Sequence, residues 1–266
     1  MAGIKEAIEK ANNENRLALS IYLTSGYPEK EKFVNLVLGV FNAGADLIEI
    51  GVPFSDPLAD GPVIQKSSYE AIQNGITPEL TLNYVKKIRE KTDKPLILMG
   101  YLNPIINYGV EKFVADSIEA GVNGLIIPDL PLEEHKKMID ERFKGLDVSL
   151  LTTPTSTESR IKDIDEYSEG FVYCVSVMGT TGVRNKFDES VLNNIDRTYK
   201  TVTRNKMMIG FGISKGDDVK RFAPYCDGVI VGSAVIKSLE NEHENNDEYQ
   251  VTFELVRELA KACKLS

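Results

Sequence analysis

The amino-acid sequence predicts an α/β protein folded as a (β/α)8 TIM barrel with an extra helix at its N-terminus. Short apolar runs rich in β-branched residues alternate with longer charged stretches of helical spacing. Eight such runs occur in 266 residues, and eight strand–helix units in about 250 residues is the arithmetic of a barrel. Several runs are continuously apolar, as strands are when helices cover them. A doubly wound sheet needs fewer strands, and no G-x-G-x-x-G follows the first strand.

Taken in order, a helix over 2–13 precedes the first strand at 17–24. A helix over 29–43 stops at Gly44 and leads to the strand at 46–52. The alternation continues with a helix over 77–91, a strand at 95–101, a helix over 111–120 and a strand at 124–128. Then come a helix over 132–143, a strand at 148–153, a helix over 157–167 and a strand at 171–175. The last units are a helix over 188–204, a strand at 207–211, a helix over 215–222, a strand at 228–231 and a final helix over 250–263. The segment 43–50 resembles 120–127, and 226–232 repeats the strand part, as units of one barrel would. Proline and glycine sit singly at strand ends and no linker composition appears, so one domain spanning 1–266 is expected. The polar stretch 240–248 reads as a solvated segment ahead of the last helix.

Composition narrows the function. Lys and Arg number 31 against 40 Asp and Glu, a formal charge of −9. That argues against affinity built on nucleic-acid phosphates and against anchoring on anionic lipid. No apolar run approaches the roughly 20 residues of a membrane helix, and the charged, amphipathic start lacks the apolar centre of a secretion signal. Three cysteines, Cys174, Cys226 and Cys263, predict a reducing compartment, the cytoplasm, and no metal cluster. With only His135 and His243, zinc hydrolysis and serine–histidine chemistry are disfavoured. Carboxylates are then the expected acids and bases.

In barrels the site lies at the C-terminal ends of the strands. There Leu47-Ile48-Glu49-Ile50-Gly51 places a carboxylate among apolar residues, on the face opposite Ile48 and Ile50 and hence inward. Burial raises the pKa of an unpaired carboxyl, which suits a general acid–base, and no strand supplies a Lys or Arg to neutralise it. The loop that follows, 52–62, carries three prolines and presents Asp56 and Asp60. Gly210-Phe211-Gly212 and Gly232-Ser233 sit at the two loops where barrels commonly bind phosphate. The long Gly-rich connection 177–186 reads as a lid. Tyr22, Tyr101 and Tyr173 fall at strand ends, where an aromatic substrate could stack.

The stretch Leu47–Gln65, LIEIGVPFSDPLADGPVIQ, closely resembles the signature of the tryptophan synthase alpha chain family. The likeness extends through Leu23-Thr24-Ser25-Gly26-Tyr27-Pro28, Ile127-Pro128-Asp129-Leu130-Pro131, Gly179-Thr180-Thr181-Gly182 and Gly210-Phe211-Gly212-Ile213-Ser214. The resemblance implies a barrel lyase that cleaves indole-3-glycerol phosphate to indole and glyceraldehyde 3-phosphate, with no cofactor or metal in this chain. It implies Glu49 as the proton-transfer group at indole C3 and Asp60 as the acceptor of the indole N–H. It further implies an indole pocket of Tyr22, Tyr101, Ile126 and Tyr173, with Thr181 in the lid. A phosphate site of Gly182, Phe211, Gly212, Gly232 and Ser233 follows by the same match. The family works as an α2β2 complex with a pyridoxal-phosphate β subunit that receives the indole, contacted here through Asp56, Pro57, Asn103 and Asp129. Tyr22 stands where many members have Phe, and Tyr27 where some have Asp. Two other readings are an isomerase or synthase barrel of the same pathway and an inactive barrel that only activates a partner. The first lacks its strand lysine here, and the second would have lost Glu49 or Asp60.

Overall fold

In the computed structural model, which describes residues 2–138, 142–176, 189–210, 212–244 and 248–265, the expected apolar runs form one parallel sheet. Its strands are β1 (Ala18–Thr24), β2 (Leu47–Gly51), β3 (Leu96–Met99), β4 (Gly124–Ile126), β5 (Asp147–Val148), β6 (Leu151–Thr152), β7 (Val172–Val175), β8 (Met207–Gly210) and β9 (Gly228–Val231). The order across the sheet is β5-β4-β3-β2-β1-β9-β8-β7-β6. β5 and β6 are two halves of the expected fifth run. The first pairs with β4 through Leu125↔Val148, and the second with β7 through Leu151↔Tyr173. Between them Ser149 N–H donates to Leu125 C=O and Leu150 C=O accepts from Tyr173 N–H. The two edges are therefore one continuous piece of chain, and the sheet closes on itself. The interruption has a local cause, because Leu150 N–H turns to the Ser168 hydroxyl at 2.8 Å.

The expected N-terminal helix is α1 (Ile4–Asn13), whose start is tied by Gly3 N–H donating to the Glu6 carboxylate. It buries Ile4, Ile8 and Ala11. A Cβ on Gly124, the first residue of β4, would lie 2.7 Å from Ile4 Cδ1. The helix thus closes the N-terminal end of the barrel, opposite the strand ends where a site is expected.

The outer helices α2 (Phe33–Ala43), α4 (Pro78–Arg89), α6 (Val110–Ala120), α7 (Leu132–Met138), α8 (Glu158–Tyr167), α9 (Glu189–Thr201), α10 (Gly216–Phe222) and α12 (Gln250–Ala262) follow the expected positions. Helix α2 starts four residues late, after a turn in which Lys32 N–H donates to Glu29 C=O. Two helices go unmarked by the sequence pattern, α3 (Pro62–Gln73) and α5 (Leu102–Tyr108), while α11 (Ser233–Glu244) starts where Gly232-Ser233 leads out of the last strand. In α3 the buried face includes Ser67 and Ser68, which break its apolar period.

The solvated reading of 240–248 is corrected in part. Residues 240–244 continue α11, and Glu242 is buried, accepting hydrogen bonds from Val251 N–H and Thr252 N–H at 2.8 Å each. A carboxylate here satisfies two open donors at the start of α12 and fixes the last helix to α11. Replacing Glu242 by Ala leaves both donors without their acceptor and the Thr252 N–H buried, so urea unfolding of Glu242→Ala is expected to show a loss of about 1–3 kcal/mol with an unchanged m-value.

Candidate active site

Glu49 sits inside the barrel on β2, at register with Tyr22 of β1 and Ile97 of β3. Its side chain is fully buried. Ser20 Oγ donates to Glu49 Oε1 at 3.0 Å, while Oε2 is buried with no hydrogen-bond partner among the described residues. Burial pushes the carboxyl up to about 8, against a smaller downward pull from the Ser20 hydroxyl. The inward orientation expected from period two holds, and at neutral pH the group carries a proton that it can give away.

Asp60 arrives differently, on the loop between β2 and α3. Tyr101 OH donates to Asp60 Oδ2 at 2.9 Å and itself accepts from Ala59 N–H at 3.0 Å. The loop backbone is pinned from α3: Gln65 Nε2 donates to Asp60 C=O, and Ser68 bonds both N–H and C=O of Phe54. Burial raises Asp60 to about 6, opposed by the hydrogen bond from Tyr101. Asp60 is thus ionised at neutral pH where Glu49 is not. Two carboxyls in one interior are set to opposite protonation states by how each is buried and bonded.

Tyr22 and Tyr173 complete the interior. Both hydroxyls are held far above their ordinary range, chiefly by burial, with the charges of Glu49 and Asp60 adding to it. Each phenol lies across a strand glycine. A Cβ on Gly51 would fall 2.0 Å from the Tyr22 hydroxyl, and one on Gly210 would fall 2.0 Å from the Tyr173 hydroxyl. These positions require glycine because the side chains of neighbouring strands occupy the space. Ile126, at the end of β4, shares an apolar cavity with Tyr101, Leu98 and Ile105.

The remaining expected residues divide. Gly232 precedes Ser233, the first residue of α11, and faces Tyr22 Cβ and Ile64 Cδ1; Gly212 takes a positive φ of 77°. Thr181, Gly182, Phe211 and the 177–186 connection lie outside the described residues. Asp56, Asn103 and Asp129 are exposed, whereas Pro57 is buried. Leu58 beside it is 86% exposed, although the sequence singles out nothing there. Sequence reasoning also passes over Ser20, Gln65 and Ser68. The available signal for Ser20 is its position two residues before Tyr22, on the same inward face of an otherwise apolar strand. Among the described residues no group of His, Cys, Asp and Glu could hold a metal ion, and no helix is long and apolar enough to cross a membrane.

A closed (β/α)8 barrel with burial-tuned carboxyls at its strand ends is the architecture of a barrel enzyme. Residues 8–264 match the family model for the tryptophan synthase alpha chain. The chain is 45% identical over 242 residues to the tryptophan synthase alpha chain of Geotalea uraniireducens, covering 90% of each. It is 43% identical over 234 residues to that of Flavobacterium psychrophilum, covering 87% of this chain and 92% of the relative. A crystal structure of the alpha chain from Legionella pneumophila superposes with a TM-score of 0.87 at 33% identity, covering 99% of this chain and 97% of that one. A structure of Mycobacterium tuberculosis tryptophan synthase matches with a TM-score of 0.88 at 33% identity over the whole of both chains. The chain belongs to the tryptophan synthase alpha chain family and is a carbon–carbon lyase of tryptophan biosynthesis.

The buried carboxyl has a consequence for stability. The folded value of Glu49, about 8, exceeds its ordinary 4.5. Its contribution to stability is therefore fully present below the ordinary value and is lost as pH rises towards 8. Glu49→Gln removes that dependence. Calorimetric scans should show the variant melting about 3–8 °C above the parent at pH 8 and by clearly less at pH 5.

Proposed function

We propose that the chain cleaves indole-3-glycerol phosphate by a retro-aldol reaction in which Glu49 and Asp60 divide the proton chemistry. Breaking the bond between indole C3 and the side chain needs the ring to become an electron sink. Glu49, protonated at neutral pH, gives its proton to C3, and positive charge develops on the ring and its N–H. Ionised Asp60 accepts the hydrogen bond from that N–H and stabilises the charge. Glu49, now a carboxylate, takes the proton of the side-chain hydroxyl as the carbon–carbon bond breaks. The bonding electrons return to the ring, giving indole, and the hydroxyl carbon becomes the aldehyde of glyceraldehyde 3-phosphate. The same group gives one proton and receives one, so the enzyme is restored without a cofactor of its own.

The observation that carries this reading is geometric: a fully buried Glu49 whose Oε2 has no hydrogen-bond partner among the described residues, and a buried Asp60 held by the Tyr101 hydroxyl, surroundings that push the two carboxyls up to about 8 and about 6. In the proposal Tyr22, Tyr101, Ile126 and Tyr173 hold the indole ring, with Thr181 over it. Gly212, Gly232 and Ser233, with Gly182 and Phe211, bind the phosphate, the start of α11 supplying backbone N–H groups. The fold acts as one catalytic domain. The partner is a pyridoxal-phosphate β subunit in an α2β2 assembly in the cytoplasm, docked on the face carrying Asp56, Pro57, Asn103 and Asp129, to which indole passes.

Indole release from indole-3-glycerol phosphate, with and without a β subunit, tests the proposal directly. Glu49→Gln is expected to lower kcat by about 10²–10⁴-fold and Asp60→Asn by about 10²–10³-fold, with circular dichroism and binding of a phosphate ligand preserved. Full activity in either variant overturns the assignment. The pH profile of kcat/KM in the parent is expected to rise with a limb near 6 as Asp60 ionises and fall with a limb near 8 as Glu49 loses its proton. Persistence of the upper limb in the residual activity of Glu49→Gln would assign the acid to another group.

A further inference from the structure

Ser20 is the side chain that hydrogen-bonds the Glu49 carboxyl among the described residues, and the proposed chemistry has not yet used it. It lies on β1 in register with Leu47, one inward-facing position nearer the N-terminal ends of the strands than Glu49. Ser20 and Glu49 are both fully buried. Its hydroxyl therefore meets the carboxyl from the closed side of the barrel, away from the strand ends through which a substrate enters. The two carboxyl oxygens are not equivalent. Oε1 is engaged by Ser20 at 3.0 Å, and Oε2 has no partner among the described residues. A buried carboxyl oxygen left without any hydrogen-bond partner, whether it carries the proton or not, is uncommon and calls for an explanation.

We propose that Ser20 is a positioning residue that anchors Glu49 through Oε1 and so reserves Oε2 as the oxygen that exchanges protons with the substrate. The inference rests on the reading of Glu49 as the proton-transfer group. Two physical effects follow from the one bond. A hydroxyl donating to Oε1 fixes the side-chain torsions of Glu49, so the reacting oxygen needs no search for its place. The same bond favours the ionised form and opposes the upward push of burial, keeping the carboxyl within reach of neutral pH rather than permanently protonated. The stabilising contact that a Lys or Arg would otherwise make comes here from a neutral hydroxyl.

The test compares Ser20→Ala and Ser20→Thr in the full chain, with Glu49→Gln as reference. Ser20→Ala is expected to lower kcat at pH 7 about 3–10-fold with KM within about twofold, and to move the alkaline limb of kcat/KM up by about one pH unit. Ser20→Thr keeps the hydroxyl and is expected to restore both. The infrared carboxyl band that disappears in Glu49→Gln gives the ionisation of Glu49 without any turnover, and its midpoint should rise by the same amount in Ser20→Ala. A change that only loosened the fold would lower activity without moving that midpoint. If the midpoint stays at the parent value in Ser20→Ala, or if Ser20→Thr is as impaired as Ser20→Ala, the positioning role is overturned while Glu49 keeps its own. If Glu49→Gln retains full activity, the catalytic reading fails first, and the two failures are told apart.

Discussion

A carboxyl group buried away from solvent, with no cation beside it among the described residues, is the constraint around which the strand ends of this barrel are arranged. Glu49 is fully buried, and its hydrogen-bond partner among the described residues is a neutral hydroxyl. An ionised carboxylate in such a place is expensive, and the group responds by holding its proton. Every neighbour is consistent with that state. Tyr22 and Tyr173 are neutral phenols, driven further from ionisation by the same burial. Gly51 and Gly210 leave the space that the two rings need, and among the described residues no Lys or Arg is buried in the interior. A lysine in this wall would neutralise Glu49 by keeping it ionised, and the proton that the chemistry requires at neutral pH would be gone.

Asp60 shows what a modest change of surroundings does. It is carried on a loop rather than a strand, and Tyr101 donates directly to its carboxylate. Burial still pushes the group up, the donor opposes it by favouring the charged form, and the carboxyl settles near 6 where Glu49 settles near 8. The loop has to be stiff for this to hold, because a carboxylate free to swing into water would return to its ordinary value. Stiffness comes from Pro53, Pro57 and Pro62 and from the bonds of Gln65 and Ser68 to the loop backbone. Buried hydroxyl pairs, Thr24 with Ser67 and Ser25 with Thr81, tie the end of β1 to α3 and α4 behind that loop. The wall of the site is thus cross-linked by polar contacts whose donors and acceptors satisfy one another.

Legibility in the sequence follows the strength of each local signal. The eight apolar runs are visible because both faces of a barrel strand are covered, and Glu49 is visible because it interrupts one of them. Asp60 is no more than an Asp beside a glycine on spacing alone, and only the whole stretch Leu47–Gln65 singles it out. The helix α3 is hidden by the contacts it makes: Ser67 and Ser68 face inward to hold the site, so its apolar period is broken. Glu242 is hidden for a related reason, since a charged stretch reads as solvated until tertiary structure supplies the buried amides it binds. Ser20 is legible only as a polar residue on an inward face. Its partner is 29 positions away, and nothing local in the chain announces that meeting.

The two ends of the barrel carry opposite burdens, and that division is what permits the site. At the N-terminal end, Ile4 and Ile8 of α1 pack into the interior, and apolar burial there follows the ordinary sign of the hydrophobic effect. At the C-terminal end, two carboxyls are held away from water with fewer hydrogen bonds than they could make. Closure of the sheet through Ser149 and Leu150 joins its two edges, so among the described strands no open edge remains that could fray and admit water to the buried carboxyl. The cost of holding Glu49 protonated is a few kcal/mol at most, against a core of tens of buried aliphatic side chains. A single open edge beside β2 would let water reach the carboxyl and return it towards its ordinary value. Continuity of the barrel wall is therefore a condition of the acid, beyond its role in stability.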